Sequence, residues 1–170
     1  GMKNKVKLNN EGVRRQDRLL DESGSIELLR TGEYGVLSMG ERVDKEIGGY
    51  GIPLNYVWDG NHSIYFHCAP EGYKLDCLKE NPKVSFSVIG HTKVISHKFT
   101  TAYESIVVRG IVFMELTEKE CMKALLLILD KYSPNNKEIG MKYAEKSFHR
   151  TNIIRLDIIE VSGKTKRIKE

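Results

Sequence analysis

Short β-branched and apolar runs joined by connections of only a few residues limit most tightly what this chain can fold into. Residues 50–58 read as a strand, Asp59-Gly60-Asn61 as a tight turn, and residues 63–67 as the returning strand. Parallel neighbours need a crossover of about a dozen residues or more, so such linkers force antiparallel pairing. Further strands are expected at 35–39, 84–89, 105–116 and 153–161, the third bent or bulged where Gly110 interrupts its Ile, Val and Phe. Residues 40–49, charged and bounded by glycine, read as a loop or hairpin turn, and residues 91–99 carry no clear pattern. Helices are expected at 21–30, at 74–79 and at 137–148. Another starts at the capping box Thr117-Glu118-Lys119-Glu120 and runs to about Tyr132, with Met122, Leu125, Leu126 and Leu129 at helical spacing. The fold class is therefore mainly β with flanking helices, a small antiparallel barrel.

At 170 residues the chain suits one domain. Residues 1–14 are expected to be a loose segment that includes the tag scar Gly1, residues 15–162 the folded domain, and residues 163–170 a basic tail. The net charge is +4, and its only concentration is Lys164, Lys166, Arg167 and Lys169. Such a run reads as solvated rather than as a nucleic-acid site. Cys68, Cys77 and Cys121 show neither Cys-x-x-Cys spacing nor an even count, which argues against a disulfide framework and a structural zinc and for a cytoplasmic home. His62, His67, His91 and His97 have no paired-ligand spacing, and no metal is expected. No apolar run approaches the ~20 residues that cross a bilayer, and no leader pattern is visible at the start.

Two details point toward a ligand. Pro53 removes one ladder donor from its strand, which suits an edge or a bulge, where backbone groups can turn to a bound molecule. Further on, Tyr65-Phe66-His67-Cys68-Ala69-Pro70-Glu71-Gly72-Tyr73-Lys74 reads as a strand, a small-residue turn and a helix with lysine in its first turn. Free N–H groups and the positive helix end converge there, an arrangement suited to phosphate.

These two segments, with Asn81-Pro82 and the run from Thr100 through Gly110, resemble the 5-nitroimidazole reductase (Nim) resistance family. That family lies within the flavin-binding split β-barrels related to pyridoxamine 5'-phosphate oxidase. The resemblance spreads from Arg15 to Lys164, with Ser162-Gly163-Lys164 similar to the family's end. It implies a homodimer with FMN, or alternatively FAD, at the subunit interface. Pro53, Leu54, Asn55 and Tyr56 would lay backbone against the isoalloxazine ring. His67, Cys68, Ala69 and Lys74 would hold the ribityl phosphate end, and Ser105 with its neighbours, Tyr103 among them, would come from the other subunit. Cys68 departs from the small or hydroxyl residue common among relatives, and a thiol is a poor donor to phosphate.

A flavin carries its own redox chemistry, so the absence of a triad or carboxylate pair is no obstacle. Lys74 offers a point charge to a phosphate. His67 is the candidate catalytic residue, able to donate a proton near neutral pH. Tyr56, Trp58 and Tyr103 are aromatic enough to line a flat pocket, although core packing is the commoner fate. The function expected is a flavin-dependent oxidoreductase that reduces small nitro-aromatics such as 5-nitroimidazoles. The alternatives are a pyridoxamine-phosphate oxidase and a non-catalytic flavin or haem carrier with His67 or His149 as axial ligand.

Overall fold

The computed structural model describes residues 6–45, 48–147 and 152–168. Helix α1 (Glu22–Thr31) begins where the Asp21 carboxylate accepts from the Gly24 N–H at 2.7 Å, and it ends where the Gly32 N–H donates to the Leu28 carbonyl. Its inner face buries Leu28 and Leu29, each worth roughly 1.5–3 kcal/mol of apolar burial. The strands are β1 (Tyr34–Met39), β2 (Tyr50–Asn55), β3 (Val57–Trp58), β4 (Ser63–Cys68), β5 (Lys83–Ile89), β6 (Lys93–Ile95), β7 (Thr100–Phe113) and β8 (Asn152–Lys166). Helix α2 (Tyr73–Glu80) joins β4 to β5, while α3 (Glu118–Tyr132) and α4 (Lys137–Ser147) lie between β7 and β8.

All strand pairs are antiparallel, in the order β2-β1-β5-β7-β8-β4-β3, with β6 pairing to β7 off this path. The two ends of that order, β2 and β3, are separated in sequence only by Tyr56. The sheet must therefore curl until its edges meet at one residue, without a ladder across the seam. A split barrel is the result. Alternate residues of β5, Val84, Phe86 and Val88, point inward, and the Phe86 ring meets Tyr56 and Phe66 edge-on at 4.9 and 5.0 Å.

Most expected elements are present, and the differences have physical causes. The expected strand at 50–58 breaks at Tyr56, because β2 pairs with β1 and only β3 forms the hairpin with β4. Pro53 does sit on an edge strand. The register of β7 slips between Arg109 and Gly110, as the glycine suggested, and a Cβ on Gly110 would lie 2.2 Å from the Asp157 carbonyl oxygen. At the start of α3 the Thr117 hydroxyl accepts from the Glu120 N–H, but the Glu120 carboxylate goes to Arg155 and Tyr65 instead of completing the box.

Near both ends the described residues depart from the expectation. Val6 is buried, Leu8 bridges Val161, and the Asn9 N–H donates to the Val161 carbonyl, so residues 6–10 run along β8 instead of hanging loose. At the other end β8 continues to Lys166, because its second half pairs with β7 from Val108↔Val161 to Tyr103↔Lys166. The expected tail from residue 163 thus begins as strand. His149 and Lys169 lie outside the described residues.

Candidate functional site

The seam at Tyr56 is held from α3. The Lys131 ammonium donates to the Gly32 carbonyl at 2.6 Å and the Tyr56 carbonyl at 2.8 Å, and lies 3.8 Å from the centre of the Tyr56 ring. The Tyr132 hydroxyl accepts from the Tyr56 N–H at 3.1 Å and sits 2.6 and 2.8 Å from the carbonyls of Glu33 and Tyr56, either of which can take its proton. The backbone groups that no strand satisfies at the break are therefore bonded by two consecutive side chains of the last turn of α3. Inside, the Tyr56 hydroxyl donates to the Leu29 carbonyl at 2.7 Å.

In front of this seam lies a cavity of about 400 Å³ lined by Pro53, Leu54, Asn55, Tyr56, His67, Ile128 and Tyr132. Residues 53–56 and His67, selected from the sequence, do converge on one space. Because β2 is an edge strand, alternate backbone N–H and C=O groups along it have no ladder partner on the outer side. Asn55 is tied by its amide to the Glu33 carbonyl at 3.0 Å, which fixes the end of β2. The Tyr56 ring belongs to the core, and its backbone N–H and carbonyl are already bonded by Tyr132 and Lys131. Trp58 is also core, its indole N–H donating to the Asn61 carbonyl beneath the Arg30 guanidinium. The aromatic stack considered for these two side chains is thus replaced by packing.

His67 is the first exposed residue of β4 after four buried ones and borders two cavities, the second being about 350 Å³ between α3 and α4. Partial burial pushes its imidazole pKa below the ordinary value. The ring is accordingly neutral at pH 7 and presents one N–H and one lone pair, so it acts as a hydrogen-bond donor or acceptor rather than as an imidazolium acid.

Past β4 the chain turns through the exposed Ala69 to Gly72, whose φ of 143° suits glycine, and enters α2. Among the described contacts no side chain caps this helix start, and the Tyr73 hydroxyl is buried without a partner. Lys74 is near enough to hydrogen-bond the Cys68 thiol. Burial pushes that thiol's pKa up more than Lys74 pulls it down, so Cys68 stays protonated.

Tyr103 and Ser105 are elsewhere. Tyr103 faces Lys166 at the far end of β8 from the Asn152 that pairs with Cys68. The strand between runs 15 residues, about 45 Å of extended chain. Tyr103 lines a cavity of about 330 Å³ with Lys93, Lys166 and Arg167, and Ser105 sits in the ladder between Ile89 and Lys164. A basic cleft of about 480 Å³ adjoins it, walled by Arg15, Arg18, Lys166 and Arg167, where Asp17 holds Arg15 at 2.9 and 2.7 Å. One subunit does not bring Tyr103 and Ser105 to His67.

Sequence reasoning missed Ile128, Lys131 and Tyr132. A lysine in a last helical turn reads as complementing the dipole, and nothing local signals its reach to Gly32 and Tyr56. It also missed the half-buried network in which the Arg155 guanidinium donates to both Glu120 oxygens at 2.9 and 2.8 Å and to Asp157 at 2.9 Å, while the Tyr65 hydroxyl donates to Glu120 at 2.7 Å. Burial raises the Glu120 pKa, but the bonds from Arg155 and Tyr65 outweigh it and hold the carboxyl below its ordinary range. The network fastens α3 to β4 and β8, and so places Lys131. Among the described residues no group of three or more His, Cys, Asp and Glu could hold a metal, and no helix is long and apolar enough to cross a membrane.

A mainly antiparallel sheet curled into a barrel split at one residue, with flanking helices, is the architecture of the pyridoxamine 5'-phosphate oxidase-like split barrels. The sequence profile of the pyridoxamine 5'-phosphate oxidase family matches residues 21–165, and the chain belongs to that family. Solved structures share the fold at low identity. A candidate 5-nitroimidazole antibiotic resistance protein from Bacteroides thetaiotaomicron is 18% identical with a TM-score of 0.66, covering 87% of this chain and 86% of that one. An FAD-binding protein from Mesorhizobium loti is 21% identical with a TM-score of 0.59, covering 88% and 98%. An FAD and heme binding protein from Mycobacterium smegmatis is 18% identical with a TM-score of 0.62, covering 87% and 72%. No curated protein matches the chain.

Proposed function

We propose that this protein is a flavin-dependent reductase of small nitro-aromatic compounds such as 5-nitroimidazoles, with FMN or FAD bound in a homodimer. The observation that carries the reading is the convergence of residues 53–56 and His67 on the cavity of about 400 Å³ at the seam, within the usual range of about 300–1,000 Å³ for ligand pockets. The residues present fit a flavin. The unpaired outer edge of β2 suits the donor and acceptor rim of a flat ring, and the uncapped start of α2 with Lys74 suits its phosphate. Tyr103 and Ser105, remote within one subunit, are residues that a second subunit would contribute.

When bound, the flavin supplies electrons in pairs to the substrate. The chain's own part is positional. Lys131 and Tyr132 fix the Tyr56 backbone, and Asn55 fixes the strand end. His67 donates its imidazole N–H to an oxygen of the nitro group, where negative charge grows as electrons arrive. Two proteins that share the fold, the candidate 5-nitroimidazole resistance protein and the FAD-binding protein, support this reading.

The test is spectroscopic and then kinetic. Purified protein should show a flavin absorption spectrum and, given a chemical or enzymatic reductant, consume a 5-nitroimidazole faster than free flavin does. A flavin spectrum without turnover would leave a carrier, and a Soret band would mean haem instead; either result contradicts the reductase.

A further inference from the structure

We propose that the cavity between α3 and α4 is the substrate pocket, and that it selects uncharged, largely apolar small molecules that present a polar end to His67. This rests on the function proposed above and adds the site and substrate class to it. The cavity measures about 350 Å³, and Leu125, Ile128, Leu129, Ile139 and Ala144 give it an apolar wall. Among its lining residues none is Lys, Arg, Asp or Glu. A carboxylate or ammonium entering it would shed water without gaining a counter-charge, a heavy cost, whereas a neutral ring gains from burial in proportion to its apolar area.

Two walls are shared with the cavity at the seam, His67 and Ile128. A molecule lying along α3 therefore presents its inner end to His67 and, beyond it, to the backbone of residues 53–56. The floor closes because α4 crosses α3 at Gly140, where a Cβ would lie 2.6 Å from the Leu129 side chain. At the rim, Ile139 and Tyr143 are each 72% exposed, apolar surface that a bound ring covers.

The experiment uses three substrates of similar shape, neutral 4-nitrobenzyl alcohol, anionic 4-nitrobenzoate and cationic 4-nitrobenzylamine, with wild type, Ile139→Glu and Ile139→Val. Ile139 is largely solvent-exposed, so the charged variant keeps the fold, and an unchanged flavin spectrum and melting temperature verify that. Wild type should favour the neutral compound through KM. Ile139→Glu should raise the KM for it by about tenfold, with a smaller change in kcat, and should move the preference toward the cation. Ile139→Val should stay near wild type. Equal KM values for all three compounds in wild type, or no change in Ile139→Glu, overturn the pocket. So does conversion of a dimer to a monomer by Ile139→Glu with KM unchanged, which would make this face a subunit contact.

If the protein binds no flavin, the proposed function fails, and the pocket is judged separately. A neutral naphthalene fluorophore should bind to wild type and be lost in Ile139→Glu, and absence of binding to wild type overturns the pocket as well.

Discussion

The Lys131 ammonium lies 2.8 Å from the carbonyl oxygen of Tyr56 and 3.8 Å from the centre of its ring. Tyr56 is the single residue between the first and last strands of the curled sheet. One cation from a distant helix thus joins the two edges that the ladder leaves open, and holds the backbone that faces the candidate ligand cavity.

Replacing that cation tests its structural role. Lys131→Met keeps the aliphatic stem but removes the ammonium donor from the Gly32 and Tyr56 carbonyls, leaving the latter only the Tyr132 hydroxyl. A loss of about 1–3 kcal/mol is expected, read from the midpoint of chemical denaturation. Tyr132→Phe should add to it by less than a simple sum, because both side chains serve the same carbonyl.

The same lysine gives an alkaline signature. Burial pushes its pKa down to about 8 from an ordinary 10.5. Between those values the unfolded chain holds the proton more firmly than the folded one, so this group's contribution to stability rises as pH climbs through the window. Wild type minus Lys131→Met should therefore become more favourable from pH 8 toward 10. Equilibrium denaturation across that range measures it, and a flat difference would contradict the burial of the charge.

His67 gives an acid signature of the same sign. Its pKa is lowered by burial, so below about 6.5 the unfolded chain takes up protons that the folded chain resists, and stability falls as pH drops. The imidazole C2–H resonance should titrate below the ordinary value. His67→Gln should flatten the acid loss of stability and lower nitro-aromatic turnover, while keeping the flavin spectrum if the ring's role is to donate to substrate.

Gly110 marks the register slip of β7. A Cβ there would meet the Asp157 carbonyl at 2.2 Å and the Leu156 side chain at 2.7 Å. Backbone cannot yield as a flexible side chain can, so Gly110→Ala should cost about 2–3 kcal/mol, measured by thermal or chemical unfolding.

What the sequence made legible was local. Gly110 signalled its bulge, Pro53 its edge, Thr117 its cap, and the turn at Gly60 the β3–β4 hairpin, each because a single residue's backbone chemistry decides the outcome. Residues 53–56 and His67, singled out from the sequence, line one cavity. What stayed hidden was pairing across long separations. The strand order places β2 and β3 at opposite edges although they adjoin in sequence, which no periodicity reveals. Lys131, Tyr132 and Arg155 act on partners 35 or more residues away. The extension of β8 to Lys166 came from a neighbour, β7, and its charged residues read alone as a tail.

The central claim is the proposal that a flavin binds at the seam, with residues 53–56 and His67 beside its ring and Lys74 toward its phosphate. Titration of apoprotein with FMN and with FAD, followed by flavin fluorescence and absorption, tests it most directly. One flavin per chain is expected, with binding weakened in Lys74→Glu and in Lys131→Met relative to a surface control such as Lys146→Glu. No binding of either flavin, or equal binding by all four proteins, would contradict it.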